Sequence, residues 1–153
     1  MKRNPILPWL PVALWMVVIF LFSAQTGDSS GNTSGEIVKW VIGLFYRNFA
    51  EMPAEKQTKI LEVVHLLIRK GAHFTEYAVL AMLVSNALRM PHRWWISIAF
   101  CALYAVTDEI HQYFVPDRAC RFSDVCIDTA GGACGMAMYA FLRFAAKCIR
   151  RNR

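Results

Sequence analysis

"LLIRKGAHFTEYAVLAMLVSNAL", residues 66–88, decides how the chain is read. From Ala78 onward it has the composition of a membrane helix. Before that point it carries Arg69, Lys70, His73 and Glu76 within eight residues. Ionisable side chains in a membrane segment are costly unless they face a bundle interior, a wet cavity or one another. The stretch therefore predicts two things together: a helix in an apolar layer, and partner helices that bring complementary polar groups.

Three other apolar stretches can supply those partners: residues 7–25, 94–114 and 122–146. With 64–88 they make four segments, each long enough to cross ~30 Å of hydrocarbon, which takes ~20 helical residues. The first follows a basic start, Lys2 and Arg3, and so shares features with a signal peptide. Its apolar run is long, however, and bulky Phe22 stands in the best cleavage motif, "FSA", which favours an uncleaved span. A length of 153 residues predicts a single domain, 1–153. The expected fold class is all-α, a polytopic membrane protein with four transmembrane helices in a bundle. Composition agrees: 56% of the residues are hydrophobic, and the mean hydropathy is positive.

The 36-residue connection 26–61 has its own pattern. "GDSSGNTSGE" reads as a Gly/Ser-rich turn, with Thr33 and Glu36 spaced as a capping box. Ile37, Val41, Leu44 and Phe45 then share one helical face, flanked by Trp40 and Phe49, which predicts a short interfacial helix in the first outer loop. Pro53 suits the first turn of a further helix that runs into the second span.

The net charge is +6. No basic cluster is interleaved with aromatics as a nucleic-acid site requires, so nucleic acid is set aside. Lys2, Arg3, Arg89, Arg93, Arg143, Lys147, Arg150, Arg151 and Arg153 fall at the termini and in the turn 89–93, with no acidic residue among them. Short flanks of this kind place the termini in the cytoplasm. Every acidic residue falls on the other side. The five cysteines show no CxxC spacing. Cys101, Cys134 and Cys148 read as small buried hydrophobes, and Cys120 and Cys126 pair only if their side is oxidising.

With that orientation all polar intrusions share one layer. Ser23 and Gln25 close the first span; Arg69, Lys70, His73 and Glu76 open the second; Asp108, Glu109, His111 and Gln112 close the third; Asp124 and Asp128 open the fourth. Asp124, Asp128, Gly131 and Gly135 form one helical stripe, and the two glycines make a GxxxG packing motif. Arg118 and Arg121 lie in the adjoining loop, where Pro116 and Asp117 suggest a tight turn. Ser123 reads as the helix cap of the fourth span.

"FSAQ" (22–25), "RKGAHFTEY" (69–77), "DEIHQYFVPDR" (108–118) and "SDVCIDTAGGACG" (123–135), in this order, resemble the VanZ-like family of small bacterial membrane proteins. The motif positions are Lys70, His73, Glu76, Tyr77, Asp108, Glu109, Gln112, Arg118, Asp124, Asp128 and Gly131, and Asp117 stands where the family often has glycine. The resemblance implies a cytoplasmic-membrane location and a link to teicoplanin resistance.

The site can then be read in several ways. As an enzyme, it would use His73, Glu76, Asp108, Asp124 and Asp128 as catalytic proton carriers. Arg69, Lys70, Tyr77, Glu109, Gln112, Arg118 and Arg121 would bind an anionic envelope lipid or cell-wall precursor. As a binding protein, the same pocket would hold lipid or antibiotic without chemistry, and as a structural network it would only pair charges. A divalent cation suits the donors, but no tight ligand signature such as HExxH is present, so metal is the less favoured reading and the cofactor stays unknown. Ser23, Ser123 and Thr129 lack a nucleophile elbow, and an ion path is disfavoured because the inner halves of the spans carry no ionisable residues. Trp9, Trp15, Trp94, Trp95, Tyr46 and Tyr113 suit interfacial belts; His65 and His92 also read as interfacial, and His111 is open. Oligomeric state is not readable from the sequence.

Overall fold

The computed structural model describes residues 5–25, 27–89, 93–116, 118 and 120–151, with the side chains of 27–34 left aside. Lys2, Arg3, His92, Asp117, Arg153 and the side chain of Thr33 lie outside the described residues. All regular structure described is helical: α1 (Leu10–Ser23), α2 (Gly27–Phe45), α3 (Ala54–Leu88), α4 (Trp94–Gln112) and α5 (Phe122–Arg151), with 3-10 turns at Leu7–Trp9 and Phe49–Glu51. The expected all-α class is met.

Local chemistry sets most of the ends. Proline in the first turn of α1 costs no helical hydrogen bond there. Pro53 caps α3, and the backbone N–H of Lys56 donates to its carbonyl at 2.9 Å. Arg89 closes α3 in the left-handed region at φ 53°, ahead of Pro91 in the sequence, which cannot continue a helix. Ser123 is not the cap expected of it. The helix already starts at Phe122, and the Ser123 hydroxyl donates to Asp124 Oδ1 at 3.2 Å.

The largest departure is α2. The polar stretch expected as a turn is the first half of a 19-residue helix, and the backbone of Thr33 lies within it. Glycine and serine lower helix propensity, but packing further along supports this one. Val38 and Ile42, an i, i+4 pair, are buried with Val64 of α3, and Val41, Phe49, Ile60, Leu61 and Ile68 pack around them. The stripe expected to share one interfacial face splits, since Val41 packs toward α3. Ile37, Trp40, Leu44 and Phe45 are exposed. The helix is therefore apolar on two sides, one against α3 and one outward.

The larger core lies among α1, α4, α5 and the C-terminal half of α3: Val12, Ile19, Tyr77, Leu80, Ala81, Val84, Cys101, Ala105 and Met136 are buried together. Gly131 and Gly135 bring α5 against α3. A Cβ on Gly131 would lie 2.2 Å from the Phe74 carbonyl oxygen, and one on Gly135 2.1 Å from that of Ala78. Only glycine permits so close an approach of two backbones. The seam continues the Asp124–Asp128 stripe, so the same packing that closes the helices sets both carboxylates against α3.

By length and composition, one described helix, α5, can cross a membrane; Leu7–Ser23 is apolar but shorter. The polar groups in α3 and α4 keep those two below that standard. Cys134 and Cys148, expected to be buried, are exposed on α5, Cys101 is buried, and all five cysteines are free, so Cys120 and Cys126 are not paired.

Candidate functional site

The C-terminal ends of α1 and α4 and the N-terminal end of α5 meet α3 at mid-length. There Arg69, Lys70, His73, Glu109, Gln112, Asp124, Ile127 and Asp128 line a narrow cleft open to solvent. One turn of each helix supplies the groups, as the i, i+3 and i, i+4 spacings require.

At the deep end, one nitrogen of His73 and one oxygen each of Asp108 and Asp128 lie within 4.8 Å of one another. The two aspartates are 3% and 2% exposed. Asp108 is held from one side: Gln112 Nε2 donates to its Oδ2 at 3.0 Å and to Ser23 Oγ at 2.8 Å. Its Oδ1 is buried without a hydrogen-bond partner, as are His73 Nδ1, Glu76 Oε2 and the Tyr77 hydroxyl. His73 Nδ1 and Glu76 Oε2 stand 3.7 Å apart, too far for a hydrogen bond and close enough for an ion pair if the ring is protonated.

The mouth is basic. Lys70 forms an ion pair with Asp124. Arg118 Nε donates to the Gln25 carbonyl at 3.1 Å, tying the α4–α5 loop to the end of α1, and its Nη1 is buried without a partner. Burial and the neighbouring Arg69 push the Arg118 guanidinium below its ordinary pKa, while Asp108 and Glu109 pull it back. Glu109 is satisfied by the backbone N–H of Arg121, which donates to its Oε2 at 2.8 Å. Arg121, expected to hold an anion, is exposed and contributes its backbone here.

Eleven of the twelve expected site residues thus gather around one cleft and its floor; the side chain of Arg121 is the exception. Trp15 suits an interfacial belt by its sequence position. It is instead part of the frame, its Nε1 donating to the Glu76 carbonyl at 2.9 Å. Tyr104, not singled out in the sequence, donates to the Met16 carbonyl at 2.7 Å, and its ring lies 6.1 Å from that of Tyr77. Its position, one turn before Asp108, was the only available signal. His111 stacks against Phe20 at 4.5 Å between centroids, and its Nε2 is buried without a partner.

The helices that build the cleft also match a known pattern as one unit: the VanZ/LLP1 family model covers residues 8–143. The chain belongs to the VanZ/LLP1 family. The matched range takes in every cleft residue named above, and only the start of the first 3-10 turn and the last part of α5 fall beyond it. No curated protein and no solved structure matches this VanZ/LLP1 chain.

Two chemically distinct ends result. The floor offers carboxylates, an imidazole and a phenol under poor hydration. The mouth offers guanidinium and ammonium groups that suit a phosphate or carboxylate.

Proposed function

We propose that this VanZ/LLP1 protein spans the bacterial cytoplasmic membrane four times, with both termini in the cytoplasm, and uses the cleft at its extracytoplasmic side to bind and modify an anionic envelope lipid. The bundle surface supports the membrane part. Leu10, Leu14, Val17 and Leu21 of α1, Leu103, Val106 and Ile110 of α4, and Met138, Phe141, Leu142 and Phe144 of α5 are all exposed. Apolar cover on this scale is what lipid requires and what water disfavours. At ~1.5 Å per residue, 35-residue α3 is about 52 Å long, longer than ~30 Å of hydrocarbon, so its N-terminal part with α2 projects past the layer. The outward stripe Ile37, Trp40, Leu44 and Phe45 suits contact with the headgroup region.

One observation carries the functional reading: a basic mouth stands directly over a buried, unsatisfied acid–imidazole floor, where three helices converge. Arg69, Lys70 and Arg118 would hold a phosphate-type headgroup near the membrane surface. His73, Glu76, Asp108 and Asp128 would face the bond that reacts and exchange protons with it or with water. Asp124, already paired with Lys70, would position that lysine. A polyprenyl-phosphate-linked intermediate has the matching chemistry: an apolar chain for the bundle surface and an anion for the mouth. The resemblance in sequence adds reduced sensitivity to teicoplanin-type lipoglycopeptides as the expected phenotype.

The test is a mass-spectrometric profile of envelope lipids and muropeptides in strains that lack the gene or carry wild type, Glu76→Gln or Asp128→Asn at matched membrane levels. A species that depends on the wild type and vanishes in both variants identifies an enzyme and its product. Unchanged profiles with altered lipoglycopeptide sensitivity leave the second reading, a pocket that binds lipid or antibiotic without chemistry. The satisfied Lys70–Asp124 and Arg118–Gln25 contacts favour that reading as a preformed receptor.

A further inference from the structure

We infer that His73, Asp108 and Asp128 are the protein ligands of a divalent metal ion of the zinc type, with Glu76 and Gln112 as the groups that orient them. The inference concerns the floor of the same cleft but does not depend on which lipid, if any, enters it.

Geometry is the first support. One imidazole nitrogen and two carboxylate oxygens, from three different helices, lie within 4.8 Å of one another. A point equidistant from three atoms at that spacing is about 2.8 Å from each. Zinc bonds nitrogen and oxygen at ~2.1 Å, so each ligand would move inward by about 0.7 Å, which a side-chain torsion supplies. Three protein ligands leave a fourth position open for water or substrate.

The second support is independent of the cluster's composition. Asp108 is 97% buried on the complement of its 3% exposure, and its Oδ1 has no hydrogen-bond partner. A buried polar atom left unmade costs ~1–3 kcal/mol, and here His73 Nδ1, Glu76 Oε2 and the Tyr77 hydroxyl are left unmade beside it. A cation bound by Asp108 Oδ1 would satisfy that buried atom directly.

The third support is the surrounding shell. Metal-ligating carboxylates are themselves hydrogen-bonded, and a ligating histidine gives its other ring N–H to a carboxylate or carbonyl. Gln112 Nε2, itself held by Ser23, donates to Asp108 Oδ2 and leaves Oδ1 for the ion. Glu76 Oε2 stands 3.7 Å from His73 Nδ1, so a small ring rotation would give an Nδ1–H its acceptor and leave Nε2 as the ligand atom.

Charge points the same way. Glu76, Asp108, Glu109, Asp124 and Asp128 meet Arg69, Lys70 and Arg118 within the cleft, five carboxylates against three fixed cations. Asp108 also sits near the C-terminal end of α4, where the helix dipole disfavours an anion and a cation offsets it. The imidazole favours zinc over magnesium or calcium, which prefer oxygen alone.

The test uses the full chain purified in detergent micelles, stripped of metal, and titrated with Co²⁺ and Zn²⁺ with no lipid substrate added. Wild type should bind about one ion per chain, with visible cobalt absorption bands that zinc displaces. Asp108→Asn and Asp128→Asn should weaken binding at least 100-fold, and Glu76→Gln by roughly 10–100-fold. Cys120→Ser with Cys126→Ser should change nothing, since these exposed thiols are the obvious adventitious ligands. If an aspartate variant fails to fold, the comparison runs on His73→Gln and on the zinc-induced rise in melting temperature, which wild type should show and Glu76→Gln should largely lose. Absence of saturable binding below about 1 mM overturns the site, and so do bands unchanged in the cleft variants or lost in the cysteine variant; a millimolar dissociation constant is only about −4 kcal/mol. Metal binding without any lipid product would overturn the envelope-lipid reading and leave the metal site standing.

Discussion

The two halves of α3 differ in almost everything except that they are one helix. The C-terminal half is enclosed: Tyr77, Leu80, Ala81, Val84, Ser85 and Ala87 are buried, between α5 across the glycine seam, α4 and α1. The N-terminal half, before the cleft, has Val64 as its one buried residue and touches α2 through a core of a few aliphatic side chains. Its ion pair, Lys59 with Glu55, is exposed on both sides and contributes ~0–1 kcal/mol. The charged segment 69–76 lies where one regime passes into the other. Ionisable groups survive there because the packing is tight enough to fix their partners and still open to water at the mouth. Packing density, more than composition, separates a structural half from one that can serve as a projecting arm.

Substitutions that act on only one half should separate the two regimes. The largest effect is expected at the seam. Gly135→Leu drives a side chain into the Ala78 carbonyl and should prevent α5 from seating, so little folded protein is recovered from membranes; Gly131→Ala should cost about 1–3 kcal/mol or more in a detergent thermal melt. If Gly135→Leu melts like wild type, the close approach of the two backbones is wrong.

Next comes the boundary. Lys70→Met leaves Asp124 half-buried without its cation, their side chains being 24% and 17% exposed in wild type. The cost should fall between that of a surface pair and that of a buried one, about 1–2 kcal/mol, and Lys70→Met with Asp124→Asn should recover most of it. A double variant no better than the sum of its parts would mean that the two groups do not interact.

The arm should respond locally. Ile42→Val removes one methylene from the small core and should cost about 0.5–1.5 kcal/mol. Hydrogen exchange should quicken across 35–64 while the seam residues 74–84 and 128–136 keep their protection. Exchange that quickens equally in both would make the halves one cooperative unit. The smallest change is Gly43→Ala. A Cβ there meets nothing within 4 Å, so relief of glycine's entropy should add about 0.5–1 kcal/mol to the local stability of α2 and leave the cleft unaltered.

Much of this was legible in the sequence because it depends on spacing. A period of 3.6 puts Asp124, Asp128, Gly131 and Gly135 on one stripe whatever they face, and two glycines four apart admit a close neighbour. The need to satisfy charges in an apolar setting then gathers His73, Glu76, Asp108 and Gln112 into one layer. These arguments use only the chain and the cost of burial. They fail where two solutions have the same period. In α2, Ile37–Val41–Leu44 and Val38–Ile42 are both valid helical faces, and the sequence alone favours the longer, whose Ile37 and Leu44 are left exposed.

The sequence by itself therefore determined the helices that carry the cleft, the polar layer and the glycine seam, since each follows from local periodicity and from the free energy of exposing or burying a side chain. Only the tertiary structure decided which face of α2 meets α3, that Lys70 takes Asp124, that Arg121 offers its backbone instead of its guanidinium, and that His73, Asp108 and Asp128 converge within 4.8 Å. Those outcomes depend on how far each helix is rotated about its own axis. That rotation is set by the sum of all contacts along its length, a quantity that no single stretch of sequence contains.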